Sequence, residues 1–321
     1  MLKIFTDPRC LEHRAPPGYP ECPERLAGVV DCLQGSGWDI ATDGPLEVPT
    51  PAARAAVAGV HATAYIDRLE SAIARGDGLI DSADNPLSAG TGASAWAAVD
   101  CALRACDWVL EAPGRAAFGA VRPPGHHAER STAMGFCYFG TVAAAAQHAI
   151  QQHGLERVAI LDFDVHHGNG TQHLFEERAD VFFVSLHQSP FYPGTGAASE
   201  VGAGAGRGAT LNVPLAAGCG DGEYREALQS EVLPAMARFA PQLLLVSAGF
   251  DAWRGDPLGG MNVSRAGYRE WGRLIAGLAA EVCQGRTVSL LEGGYDLEHL
   301  GELVGCYLEG LTGGASPSEA S

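Results

Sequence analysis

Positive charge is scarce in this chain: 21 Lys and Arg residues stand against 38 Asp and Glu, for a formal net charge of −17. A surface of that sign repels phosphate backbones and anionic headgroups, so neither nucleic acid nor a membrane is an expected partner, whereas a cationic peptide suits it. Long apolar runs are missing too. No stretch of roughly 18 consecutive apolar residues occurs, and Met1–Asp7 is too short and too soon interrupted to read as an export signal. Metal-type Cys-x-x-Cys pairs are absent. The nine cysteines, an odd number scattered from Cys10 to Cys306, read as thiols of a reducing compartment, and the cytoplasm is the expected location. With 46% hydrophobic residues over 321 positions the chain can bury a large core. One domain over residues 1–311 is expected, followed by a small, polar tail over Thr312–Ser321.

What is present is a regular alternation. Short apolar runs at Lys3–Phe5, Ala116–Ala120, Val158–Asp162, Val181–Leu186, Leu243–Ala248 and Val288–Leu291 read as buried parallel strands. Helical patterns lie between them, with Pro23 at a first helical position, Asp221 and Ser264 as N-caps, and helices over Ser88–Leu110 and Gly140–His153. This order predicts an α/β fold with a parallel sheet covered by helices on both faces, whose ligands bind beyond the carboxyl ends of the strands. The Gly-rich segment Gly202–Gly208 carries a nominal G-x-G-x-x-A at Gly204, Gly206 and Ala209. It lacks a strong preceding strand and a capped following helix, so dinucleotide binding is not expected.

Chemistry concentrates at the strand ends. In Ile160-Leu-Asp-Phe-Asp-Val-His-His-Gly-Asn-Gly170, side-chain alternation along a strand puts Asp162, Asp164 and His166 on one face. Burying two carboxylates with an imidazole is costly unless a cation or hydrogen-bond partners compensate. A hydrogen-bonded cluster that shapes the turn is the plain alternative to a metal. A second strand, Leu243–Ala248, runs on to Asp251, which would complete an Asp164, His166, Asp251 site with one coordination position open, as a catalytic zinc needs. The loop Val121–Ala128 delivers His126 and His127 behind a Pro-Pro-Gly turn, and Leu290–Asp296 delivers Tyr295 behind two glycines that let backbone approach a ligand.

These segments resemble the histone deacetylase family, which includes bacterial histone deacetylase-like amidohydrolases and acetylpolyamine amidohydrolases. The resemblance rests on Arg122-Pro-Pro-Gly-His-His127, Gly135-Phe-Cys137, Asp162-x-Asp-Val-His-His-Gly-Asn-Gly-Thr-Gln172, Tyr192-Pro-Gly-Thr-Gly196, Ser247-Ala-Gly-Phe-Asp251 and Glu292-Gly-Gly-Tyr295, in family order from about Pro20 to Gly305. It implies the arginase-deacetylase fold, with a central, mainly parallel sheet of about eight strands flanked by helices on both faces. It implies one zinc, or iron(II), on Asp164, His166 and Asp251, and a structural potassium on Asp162, Asp164, His166, Ser185 and Leu186. It assigns His127 the acid-base role, His126 a place beside the water with Asp162 behind it, and Tyr295 the hydrogen bond to the oxyanion.

Asn169 stands where some members carry an Asp behind the acid-base histidine, as in class II deacetylases; Asn169→Asp is expected to raise that histidine's pKa and move the basic arm of the rate profile. The tunnel for the lysine stem would be walled by Gly135, Phe136, Tyr192 and Leu258. Leu258 falls where polyamine-specific relatives place an acid, and Asp84 resembles an acidic rim residue. Two departures, Tyr19-Pro-Glu21 for His-Pro-Glu and Gly140-Thr141 for Asn-Asn, touch supporting loops. An arginase-like pair of manganese ions is disfavoured because Gly168 and Trp253 stand where further carboxylates would be needed. The expected function is zinc-dependent removal of acetyl or other acyl groups from the ε-amine of lysine in a protein or peptide. Hydrolysis of acetylpolyamines or other small amides, and a catalytically silent acyl-lysine binder, are the alternatives. Homo-oligomer formation is open.

Overall fold

The computed structural model describes residues 1–42, 44 and 47–314. Its strands are β1 (Leu2–Phe5), β2 (Ile40–Ala41), β3 (Leu79–Ile80), β4 (Ser82–Pro86), β5 (Ala116–Gly119), β6 (Val158–Asp162), β7 (Val181–Gln188), β8 (Thr210–Leu215), β9 (Leu243–Ala248) and β10 (Thr287–Leu291). Eight of them form one sheet in the order β2-β1-β5-β10-β9-β6-β7-β8, every pairing parallel. The antiparallel pair β3–β4 stands apart. All six strands expected from the apolar runs are present, with ends shifted by at most two residues. The two sheet strands that the runs did not reveal are its edges. β2 has only two residues, and β8 carries Pro214, which an edge strand tolerates because one side of its ladder is free.

The helices are α1 (Pro23–Gly35), α2 (Pro51–Val60), α3 (Thr63–Arg75), α4 (Thr91–Leu110), α5 (Thr141–His153), α6 (Asn169–Phe175), α7 (Asp221–Ala227), α8 (Leu233–Phe239), α9 (Arg265–Val282) and α10 (Leu300–Thr312). The sheet is buried on both faces, which is why its strands read as unbroken apolar runs. Ala159, Leu161, Leu244 and Val246 pack with Leu26 and Val29 of α1, Trp271 and Ile275 of α9, and Val304 of α10. Their neighbours Val158, Ile160, Leu243 and Leu245 point the other way, onto Ala105 and Cys106 of α4 and Ala145 and Ala146 of α5. Full burial of each such aliphatic side chain contributes about 1.5–3 kcal/mol. Truncating Leu245 to alanine would cost ~2–5 kcal/mol with its cavity.

Ser264 caps α9 as expected, its hydroxyl accepting from Gly267 N. Asp221 does not cap α7. Gly220 holds that position, and the Asp221 carboxylate instead accepts from Ser264 N at 2.8 Å and Ser264 Oγ at 2.6 Å, which ties α7 to α9. The Gly-rich segment forms one short turn before β8, and a Cβ on Gly206 would lie 2.4 Å from the Glu176 carbonyl oxygen, so close backbone packing explains it. α10 runs one residue into the expected tail, through Thr312, and residues 315–321 of that tail lie outside the described residues. Among the described residues no helix is long and apolar enough to cross a membrane. β5, β10, β9 and β6 are consecutive in the sheet, so the loops leaving their carboxyl ends share one rim.

Candidate active site

Asp162 closes β6, and from there two carboxylates fold the loop back on itself. Asp162 Oδ1 accepts from Asp164 N at 3.1 Å, and Asp164 Oδ1 accepts from His166 N at 3.0 Å. His166 Nδ1 then lies 3.1 Å from Asp164 Oδ1 and 3.2 Å from Asp251 Oδ2. Asp251 arrives from the end of β9 and is anchored by Val165 N on Oδ1 at 2.9 Å. Its other oxygen, Oδ2, is buried with the His166 ring nitrogen beside it but takes no well-aligned hydrogen bond. Gly293 N donates to Asp164 Oδ2 at 2.8 Å, and a Cβ on Gly293 would come within 2.1 Å of Asp251 Oδ2. One donor atom from each of Asp164, His166 and Asp251 lies within 4.8 Å of the others.

The electrostatics ask for a cation. Burial, then the Asp164 charge, pushes Asp251 up to about 7. His166 is the positive group between them: burial opposes its charge, but Asp164 and Asp251 raise it to about 10. Two buried acids, one imidazole and an oxygen without a well-aligned hydrogen bond fit a single divalent ion. Gly168 and Trp253 supply no ligand for a second ion beside it. A Cβ on Gly168 would lie 2.1 Å from Asp162 Oδ2, and the Trp253 indole donates to Asp296 at 3.0 Å. For the expected potassium ligands, Asp162 on β6 is the register partner of Ser185 on β7, with Leu186 next to it. Ser185 Oγ is 2.9 Å from His187 Nδ1.

The histidine loop leaves β5 and is clamped by Glu292, whose Oε2 accepts from Gly125 N at 2.6 Å and His126 N at 3.1 Å. His126 Nδ1 donates to Asp162 Oδ2 at 2.9 Å. Burial disfavours its charged form, but Asp164 and Asp162 overcome that and hold its pKa well above the usual histidine value. His127 behaves oppositely: burial, then the charges of His126 and His166, hold it well below. The two rings lie 4.0 Å apart with opposed protonation preferences. His127 Nδ1 meets Asn169 Oδ1 at 2.7 Å, and Asn169 Nδ2 donates to Glu129. Glu129 also meets His173 Nδ1 at 2.8 Å.

Tyr295 follows β10. Its backbone N donates to Asp256 Oδ2 at 2.6 Å, and its ring packs on the Arg25 guanidinium, 4.6 Å from centroid to carbon. Burial pushes the phenol pKa well above its usual value although Arg25 opposes this, so Tyr295 is a proton donor throughout the working range. Arg25 is itself buried on α1 and donates to the carbonyls of Gly294 at 2.6 Å and Glu292 at 2.5 Å. Glu21 pairs with Arg122 at 2.5 and 2.7 Å and with Arg25 at 3.3 Å, so the departure from His-Pro-Glu leaves a working brace between α1 and the histidine loop.

His127, His166 and Tyr295 line one cavity of about 560 Å³. Gly135, Phe136, Tyr192 and Leu258 all line it, as expected, and so does Asp84. Gly135 adopts φ +57°, and a Cβ there would lie 2.2 Å from His127 Cδ2, so only glycine fits beside that ring. Phe136 meets Tyr295 edge-on at 5.8 Å. Asp84 Oδ2 accepts from Gly135 N at 2.9 Å and from the Tyr192 hydroxyl at 3.1 Å, which makes it part of the wall. The sequence reading missed Phe191, which stacks on His166 at 5.2 Å and 16°, and it missed Glu129 and Arg25. An arginine on the face of α1 shared with Leu26, Val29 and Leu33 was the available signal for Arg25.

Residues 19–311 match the Histone deacetylase domain. The chain belongs to the histone deacetylase family. Histone deacetylase 14, chloroplastic, of Arabidopsis thaliana is 40% identical over 314 residues, covering 92% of this chain and 73% of that protein. The histone deacetylase-like amidohydrolase of Pseudomonas aeruginosa is 38% identical over 310 residues, covering 91% of this chain and 81% of that protein. The crystal structure of an acetylpolyamine aminohydrolase from Burkholderia pseudomallei superposes with a TM-score of 0.86 at 30% identity, covering 97% of this chain and 98% of that one. The arginase-deacetylase fold implied by the motifs is thus present, and family membership makes the chain a hydrolase of the deacetylase type with Asp164, His166 and Asp251 as its candidate metal group.

Proposed function

We propose that this histone deacetylase family member removes acetyl or related acyl groups from the ε-amine of lysine in peptides or proteins. The observation that carries the reading is convergence: a metal-fitting triad, a low-pKa histidine and a buried phenol line one cavity with apolar walls. Asp164, His166 and Asp251 would hold zinc, or iron(II), which when bound polarises the amide carbonyl and acidifies water. His127 is neutral, and with Nδ1 committed to Asn169 its Nε2 carries the lone pair that takes the proton of the attacking water and returns it to the leaving amine. His126, kept cationic by Asp162 and Asp164, orients that water and stabilises negative charge. The Tyr295 phenol donates to the developing oxyanion. Asp162, Asp164, His166, Ser185 and Leu186 would hold a structural potassium.

The cavity suits a four-carbon stem: Phe136, Phe191, Pro257 and Leu258 give it apolar walls. A second ammonium, as in a polyamine, would look for a free carboxylate there. Asp84 is the acid in the wall, and its oxygens are engaged by Gly135, Tyr192 and Ser82. Acyl-lysine is therefore the favoured substrate, on a peptide or protein, with no role for nucleic acid or membrane and a cytoplasmic setting. The test is kcat/KM for acetyl-lysine peptide, longer acyl-lysine peptides and acetylpolyamines on the wild type and Tyr295→Phe. Acyl-lysine should lead and should collapse in the variant. Polyamine preference would refute the substrate reading, and Tyr295-independent turnover would refute the site.

A further inference from the structure

Away from the strand ends, α4 and α5 finish side by side on the outer layer. Asp107, in the last turn of α4, accepts through one oxygen, Oδ1, from His148 Nε2 at 2.7 Å and from His153 Nε2 at 2.7 Å. The two imidazoles come from α5, and the three donor atoms lie within 4.8 Å of one another. His148 is buried, whereas the side chains of Asp107 and His153 are 49% and 31% exposed, so the group is preformed yet reachable from solvent.

A hydrogen-bonded clip is the simple reading, and three features go beyond it. A single carboxylate oxygen serves two ring N–H groups, while Oδ2 takes no side-chain donor among the described residues. Asp107 sits at the negative end of α4, where a carboxylate is disfavoured unless a cation neighbours it. His153 is the last residue of α5, so a second helix directs its negative end to the same place. The local field therefore favours positive charge, and the donor set selects its kind: two imidazoles and one carboxylate suit zinc, nickel or copper and not the hard magnesium or calcium ions.

We propose that Asp107, His148 and His153 form a second metal site, for a borderline transition-metal ion, which clamps the ends of α4 and α5. At tetrahedral metal–ligand distances of about 2.0–2.1 Å, neighbouring ligand atoms stand ~3.3 Å apart, so the 2.7 Å pairs need to open by about 0.6 Å. The exposed side chains of Asp107 and His153 have that freedom, and water completes the coordination. This site is open on one side and binds more weakly and exchangeably than the buried triad. Its clamp acts on α5, whose first residue, Thr141, packs against Gly125 of the histidine loop.

The test is a calorimetric zinc titration of the metal-stripped chain, paired with copper paramagnetic resonance. The wild type should take up two equivalents in two phases. His153→Gln should lose the weaker phase and keep the tight one, with an unchanged melting temperature in the absence of metal. Asp251→Asn should keep the weaker phase, and its bound copper should show coupling to two imidazole nitrogens that the added His153→Gln change abolishes. No zinc bound by Asp251→Asn, or a second equivalent that His153→Gln and Asp107→Asn bind within threefold of wild-type affinity, overturns the proposal. Neither result touches the centre at the strand ends, because each phase is read in the variant that lacks the other site.

Discussion

Asn169 Oδ1 accepts the Nδ1 proton of His127 at 2.7 Å, and because a carbonyl oxygen can only accept, this bond fixes the tautomer that leaves Nε2 basic. Family members with Asp at this place put a full charge behind the ring; here the charge sits one residue further back, on Glu129, across the Asn169 amide.

The first prediction follows from that spacing. Burial and the charges of His126 and His166 already hold the His127 pKa well below the usual value, so the neutral base dominates near neutral pH. An aspartate in contact with the ring raises that pKa, and protonated His127 cannot take a proton. Asn169→Asp should therefore move the acid arm of kcat/KM to higher pH. This corrects the expectation from the residues alone, which put the change on the basic arm. Glu129→Gln should leave the acid arm where it is. Profiles of kcat/KM against pH for the three proteins decide it, and superimposable profiles for wild type and Asn169→Asp would refute the role of His127.

Tyr295→Phe removes one donor to the oxyanion while Phe136 and Arg25 keep the ring in place. A loss of about 10²–10³-fold in kcat, or ~2.7–4 kcal/mol, is expected with KM changed little. Steady-state kinetics on an acetyl-lysine peptide would contradict this if KM rose and kcat held.

Glu21 predicts an acid limit to stability. Burial alone would raise its pKa, but Arg122 and Arg25 hold it below the ordinary glutamate value. A carboxylate with a depressed folded-state pKa contributes stability above its unfolded value of about 4.3 and loses it as pH falls through the lower folded value. Glu21→Gln leaves two buried guanidiniums short of a counter-charge and should cost ~3–5 kcal/mol at neutral pH. Melting temperatures between pH 3 and 7 should show a large gap at neutral pH that narrows toward the acid end.

Most of the sheet and the candidate group Asp164, His166 and Asp251 were legible because both leave periodic or chemical marks. Residues 158–161 and Leu243–Ala248 are apolar on both faces, and Asp162, Asp164 and Asp251 follow within three residues of their ends. β8 was hidden by Pro214, and β2 by its two-residue length. Glu129 and Phe191 were not legible, since their roles arise from contacts across separate loops: Glu129 with Asn169 and His173, and Phe191 with His166. Asp221 misled because a carboxylate near a helix start can cap its own helix or a neighbour's, and here it bonds Ser264.

Leu258 gives a specificity prediction. Its backbone N is fixed by Asp256 Oδ1 at 2.9 Å, so the loop should survive a change of side chain that faces the cavity. Leu258→Glu should raise the ratio of acetylpolyamine to acetyl-lysine turnover about tenfold, equivalent to ~1.4 kcal/mol of differential transition-state binding. Competition assays with both substrates present would contradict the reading if the ratio stayed fixed.

The central claim is that one tightly held divalent ion on Asp164, His166 and Asp251 makes the chain a hydrolase. Metal content measured beside activity, after exhaustive dialysis and again after a strong chelator, tests it most directly. The expected result is one retained zinc or iron per chain, loss of activity with its removal, recovery on adding it back, and neither retention nor recovery in Asp251→Asn. Full activity from metal-free protein would contradict it.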